Sequence, residues 1–179
     1  MTATTVPTAK AFVRPPAQAP ATWAMGSLFE MLATTADTGA PLDVALVTQP
    51  PGVATPLHVH TRESEAFYVL DGTLTYQAGD DLHHLAAGWF IHLPLGVPHA
   101  FRITGDTPAR ILALTLPGGL MDLYTHVGIP ATERRLPGPD GQPMPTEIAR
   151  WNDLGPRYGL RVIGPPLPAQ PASTDAPGA

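Results

Sequence analysis

Four side chains in this sequence have the types and spacing to hold a metal ion. His58 and His60 stand two residues apart, Glu65 follows five residues later, and His99 comes after the bend Pro94-x-Gly96. Side chains two apart on a strand share a face, with Cα atoms about 6.5–7 Å apart. Two imidazoles so placed can reach one ion at roughly 2.1 Å. Glu65 has the opposite parity, so a turn or bulge over 61–64 must bring it to the same side. The four together read as one site for a divalent transition metal: His58, His60, Glu65 and His99. Fe, Ni, Mn, Co, Cu and Zn all accept His and carboxylate ligands, and affinity alone does not choose among them. Three neutral imidazoles and one carboxylate leave a divalent ion with residual positive charge. That suits an anionic oxygen ligand, with dioxygen or water beside it. Glu65 has a second possible task as a general base, for which burial would have to raise it from an ordinary value of about 4.3.

Composition removes several alternatives. The chain has 179 residues, of which 44 % are hydrophobic and 14 % charged, with no cysteine, so thiolate metal sites, disulfides and thiol catalysis are excluded. The formal net charge is −5, and the basic residues are nine Arg and one Lys without a cluster, which argues against nucleic acid or an anionic membrane as partner. No run of about 18 apolar residues and no secretory signal is evident, so the expected location is cytoplasmic.

The elements that must position the four side chains are short strands. Apolar, β-branched stretches at 27–35, 42–48, 56–59, 66–70, 73–77, 82–85, 89–93, 99–103 and 109–116 are separated by turn residues. Their spacing, without intervening helices, predicts a mainly β fold: a single antiparallel β-barrel or jelly roll. Asp71-Gly72 is expected to be a two-residue hairpin joining its flanking strands. After the barrel, Leu120, Leu123, Tyr124 and Val127 fall on one face of a helix ended by Gly128, and a second short helix is expected over 146–152. A late strand is expected at 159–163. Residues 1–21 are Ala-, Pro- and Thr-rich and read as a flexible arm, 22–164 as the barrel domain with its helical extension, and 165–179 as a disordered tail.

Parity extends the site outward. Phe67 and Val69 continue the inward face of Glu65, and Phe101 shares the face of His99. With His92, on the strand before Pro94, they are the candidate substrate-pocket residues for an aromatic or otherwise hydrophobic small molecule. His83 and His84 are expected to be solvated, and His126 to lie near a helix end.

Gly52-x5-His58-x-His60-x4-Glu65-x6-Gly72 and Gly88-x5-Pro94-x-Gly96-x2-His99 resemble the two motifs of the cupin superfamily. The usual asparagine four residues after the last histidine is replaced by Ile103. The segments L-P-G-G-L-M-D-L-Y-T-H-V-G-I-P and W-N-D-L-G-P-R-Y-G-L-R-V-I-G-P-P-L-P extend the resemblance to small single-domain (monocupin) proteins like bacterial quercetin 2,3-dioxygenase. The resemblance implies a metal-dependent dioxygenase in which the metal binds a deprotonated flavonol and Glu65 is both ligand and base. Dioxygen would then open the ring with release of carbon monoxide. It also implies a homodimer. A redox-neutral cupin (cyclase, isomerase or lyase) and a non-catalytic small-molecule-binding cupin are the alternatives.

Overall fold

A computed structural model describes residues 10–138, 143 and 145–169. Residues 1–9 of the N-terminal arm and 170–179 of the tail lie outside the described residues. The strands in chain order are β1 (Ala21–Ala24), β2 (Ser27–Ala33), β3 (Asp43–Gln49), β4 (Pro56–His60), β5 (Ser64–Asp71), β6 (Thr73–Ala78), β7 (Asp81–Ala86), β8 (Phe90–Leu93), β9 (His99–Ile103), β10 (Ala109–Leu116), β11 (Ile129–Pro130) and β12 (Leu160–Pro166). The helices are α1 (Thr35–Thr38), α2 (Met121–Val127) and α3 (Pro145–Leu154).

The strands form two antiparallel sheets, ordered β11-β1-β2-β3-β10-β5-β8 and β12-β4-β9-β6-β7. This is the mainly β jelly roll expected from the strand spacing, with short helices after the last long strand. Alternation makes the inner faces. On β3 the buried side chains are Asp43, Ala45, Val47 and Gln49, while Val44, Leu46 and Thr48 are half-exposed. The middle of that face is small, as is its neighbour on β10, where Ala113 pairs with Ala45. Small residues at facing positions leave space between the sheets.

One expectation about connections changes. Asp71-Gly72 does not make a hairpin: β5 pairs with β10 and β8, whereas β6 pairs with β7 and β9 in the other sheet. The glycine marks the corner where the chain changes sheets. Its φ is +81°, and a Cβ there would lie 2.8 Å from Ala109 Cα, so a side chain is excluded twice over. The hairpin lies one strand later, where Ala78 pairs with Asp81 around Gly79-Asp80. The structure also adds a strand at the start of the fold. β1 is a separate strand, joined to β2 by Met25 and Gly26, both at positive φ.

The apolar run in β2, which its periodicity alone leaves ambiguous between helix and strand, is a strand buried on both faces. Phe29 and Met31 pack inward with Val47 and Met121. On the other face Glu30 is held by Arg134, at 2.8 Å. The helix expected from Leu120, Leu123, Tyr124 and Val127 forms as α2. Leu120, Leu123 and Val127 pack with Trp151 of α3 and Leu160 of β12 across one end of the barrel.

Candidate metal centre

β4 places His58 and His60 on its buried face, and β9 begins with His99 directly paired to His58. The chain then breaks over 61–63 and re-enters in the opposite sheet as β5, whose second residue is Glu65. That crossing, rather than a bulge within one strand, turns Glu65 toward the histidines. One ligand atom from each of His58, His60, Glu65 and His99 lies within 4.8 Å of the other three. Glu65 Oε2 is 3.0 Å from His99 Nε2 and 3.2 Å from His60 Nε2.

The far nitrogen of each ring is occupied. His58 Nδ1 lies 2.7 Å from the carbonyl of Pro56, and His99 Nδ1 lies 2.9 Å from that of Val97. His60 Nδ1 makes a short contact with the carboxylate of Glu63. Carbonyl and carboxylate oxygens only accept, so each Nδ1 carries the hydrogen and donates it. The three Nε2 atoms turn toward Glu65, with His99 Nε2 at hydrogen-bond distance from its Oε2, and they are the atoms that would coordinate an ion. Among the described residues His60 Nε2 is buried without a hydrogen-bond partner, 3.2 Å from Glu65 Oε2. Three convergent imidazole nitrogens, one of them unpartnered and buried, and one carboxylate fit a divalent transition metal.

Electrostatics within the cluster is strongly coupled. Burial alone would push the Glu65 carboxyl up, but His60 and His99 outweigh it and hold it well below the usual carboxylate range. Glu65 is therefore an ionised ligand, and its surroundings do not give it the raised value that the general-base reading asked for. Burial would lower His60, yet Glu65 and Glu63 together push it up to about 10. Burial, aided by the nearby His99, lowers His58 to about 4.

His58, Glu65 and His99 border a cavity of about 280 Å³. Six aromatic side chains share its wall, Phe29, Phe67, Tyr76, Phe101, Tyr124 and Trp151, with aliphatic residues and a few polar ones such as Thr55 and Arg102. Phe29 stacks on Tyr124 with ring centroids 4.1 Å apart, and Trp151 lies 5.2 Å from Tyr124. Burial, reinforced by the charge of Glu65, pushes the Tyr76 and Tyr124 phenols far up. Both are hydroxyl donors at any physiological pH.

Of the pocket residues expected from parity, Phe67 and Phe101 line the cavity, whereas Val69 and His92 do not. Val69 faces inward but lies nearer the Gly72 corner, where Leu74, Leu85, Ile103 and Ile111 fill the barrel around it. His92 pairs with Ala66 on an edge strand and is exposed, its neighbours Ile91 and Leu93 taking the inward positions. His83 and His84 are exposed on β7, with His84 bonded to Thr75. Glu63 went unread in the sequence. Its only signal was a carboxylate three residues after His60, inside the polar segment Thr61-Arg62-Glu63-Ser64.

Residues 45–115 match the family model described as a cupin domain. The chain is 31 % identical over 100 residues to quercetin 2,3-dioxygenase of Bacillus subtilis (strain 168). That alignment covers 56 % of this chain and 29 % of the relative, so the chain spans under a third of that protein's length. Among solved structures, a predicted oxalate decarboxylase from Thermotoga maritima superposes with a TM-score of 0.54 at 21 % identity, covering 59 % of this chain and 99 % of the other. An RmlC-like cupin from Shewanella frigidimarina NCIMB 400 gives 0.53 at 19 % identity, covering 61 % and 93 %. At such identities these two speak for the fold alone. Over residues 45–115 the barrel resembles a cupin domain, and over the aligned 100 residues the chain resembles quercetin 2,3-dioxygenase. Among the described residues, no helix is long and apolar enough to cross a membrane.

Proposed function

We propose that this chain is a metal-dependent dioxygenase acting on a small aromatic or enolisable substrate, with flavonol ring cleavage of the quercetin 2,3-dioxygenase type as the specific reaction. The observation that carries the proposal is the position of the ligand cluster. His58, Glu65 and His99 stand in the wall of a cavity to which six aromatic side chains also contribute. His58, His60, Glu65 and His99 hold the metal, which when bound supplies Lewis acidity and a one-electron route to dioxygen. The protein's own groups do the rest. Phe29, Phe67, Phe101 and Trp151 sandwich a planar ring and exclude water. The ionised Glu65 carboxylate accepts a hydrogen bond from the substrate's acidic hydroxyl, and the neutral Tyr76 and Tyr124 phenols are donors for substrate oxygens. The likeness to quercetin 2,3-dioxygenase over the barrel supports the choice of substrate class.

The test is metal analysis of the purified protein, followed by dioxygen uptake with quercetin after loading Fe, Mn, Ni or Co separately. About one metal per chain and flavonol-dependent oxygen consumption are expected, and both are lost in Glu65→Ala. No oxygen consumption with any loaded metal would overturn the dioxygenase reading. Substrate turnover without dioxygen would move the protein to the redox-neutral cupins.

A further inference from the structure

Among the described residues, two polar atoms at the cavity have no hydrogen-bond partner. Gln49 Oε1 and Trp151 Nε1 are each buried with no hydrogen bond, and both residues line the cavity that also holds His58, Glu65 and His99. Gln49 and Trp151 are 7 % exposed each. A buried acceptor or donor left unsatisfied costs about 1–3 kcal/mol, so such groups persist where something other than the fold partners them.

Their places in the fold differ. Glu65 pairs with Thr115, which pairs with Asp43 at the start of β3. Gln49 is the last residue of β3, about 20 Å of strand from that rung at ~3.3 Å per residue. Its side chain shares the inward face with Val47, which also lines the cavity. Trp151 stands on α3 against Tyr124. The cavity thus has the ligand cluster at one level of the β-sheet, a carboxamide far along the same sheet, and an indole N–H on its helical side. The wall between them is mostly apolar, with Thr55, Ser27 and Arg102 among its polar members.

We infer that Gln49 and Trp151 are specificity-determining residues that read two polar substituents of an elongated aromatic ligand: a hydroxyl at Gln49 and an oxygen acceptor at Trp151. A carboxamide can accept from a hydroxyl through Oε1, or donate to it through Nε2 if the amide is turned. The indole N–H can only donate. An aromatic ligand bare of polar groups leaves both unmet, so the site discriminates against it by the lost bonds. This inference deepens the dioxygenase reading, whose substrate it describes.

The experiment is binding to the metal-loaded protein of two ligand pairs that differ in hydroxyl groups: quercetin against 3-hydroxyflavone, and 2-naphthol against naphthalene. The second pair carries no flavonol headgroup. Wild-type protein should prefer the hydroxylated member of at least one pair. Gln49→Met should reduce that preference by about tenfold, the equivalent of one hydrogen bond, and Trp151→Phe by about three- to tenfold, with metal content unchanged. In the unliganded protein Gln49→Met should leave Tm unchanged or raise it, because an unpartnered amide is removed.

If no flavonol binds but the naphthol preference is present and falls in the variants, the flavonol reading fails and the assignment of the two residues stands. No preference in the wild type, a preference that survives both substitutions, or equal weakening of both members of a pair would overturn it. So would a fall of several degrees in the Tm of unliganded Gln49→Met, which would show that the amide is partnered within the fold.

Discussion

Glu63 is placed to tune the proposed metal site without touching the ion. Its carboxylate bonds His60 Nδ1 in a setting where both side chains are almost fully buried. That contact fixes the tautomer and raises the basicity of the ring, as carboxylates behind metal-bound histidines do. His58 and His99 are fixed by backbone carbonyls instead, so only His60 is open to tuning by a side-chain substitution behind it. Glu63→Gln should weaken metal affinity by about 10- to 100-fold, read by competition with a chelator of known affinity. An affinity within twofold of wild type would remove Glu63 from the site. His99→Ala removes a ligand outright, and metal content should fall well below one per chain in elemental analysis. The convergence of the four candidate ligands was legible because their spacing matches a recurring motif, with His58 and His60 sharing one strand face. Glu63 was not, because the crossing over 61–63 between sheets has no parity to follow. Gln49 and Trp151 were hidden for another reason: nothing local marks a polar residue whose partner is absent from the protein.

At the level of elements, a strand's length and alternation are written in its own residues, while its pairing depends on residues far away. The strand positions were therefore readable, and the Asp71-Gly72 connection was not. The dipeptide favours positive φ in a hairpin and in a sheet-changing corner alike. Only the contact with Ala109 distinguishes the two. Gly72→Ala should cost about 2 kcal/mol or more, since it combines a strained φ with a backbone clash. Asp43 is a second element-scale device. It is 1 % exposed and accepts hydrogen bonds from Thr115 Oγ1 at 3.2 Å, Gly119 N–H at 2.6 Å and Met121 N–H at 3.3 Å. It ties the start of β3 to the end of β10 and to the first residue of α2, the helix that carries Met121 and Tyr124 to the cavity. Asp43→Ala leaves two backbone donors and a hydroxyl without their acceptor. A loss of about 2–3 kcal/mol is expected from the urea midpoint at constant m. A change below about 0.5 kcal/mol would mean that α2 docks by its apolar face alone.

Across the whole molecule, single arginines secure the segments that composition reads as loose. Arg134 bonds Glu30 and the carbonyls of Ala17 and Ala19. Arg102 bonds the carbonyls of Leu167 and Gly52. Arg14 donates to the carbonyls of Met31 and Leu32 and to both oxygens of Asp37. Isolated arginines in Ala- and Pro-rich sequence carry no pattern, so residues 10–20 and 167–169 could not be read as attached to the barrel. The Arg14–Asp37 pair gives this attachment a pH dependence. The hydrogen bonds from the Arg14 guanidinium, stronger than the opposing effect of burial, hold the Asp37 carboxyl well below its ordinary value. Because that group is depressed in the folded state, its stabilisation is present above the unfolded value of about 3.9 and is lost as pH falls from there through the folded value. Both side chains keep some exposure, at 20 % and 23 %, so solvent screening limits the pair to about 0.5–1 kcal/mol. Asp37→Asn should therefore be less stable than wild type by about that amount near neutral pH, with the gap narrowing only below about pH 4. Urea unfolding of both proteins from about pH 7 to pH 2.5 measures it. A gap of constant size across that range would show that Arg14 attaches the N-terminal segment through the two β2 carbonyls, with no contribution from the charge of Asp37.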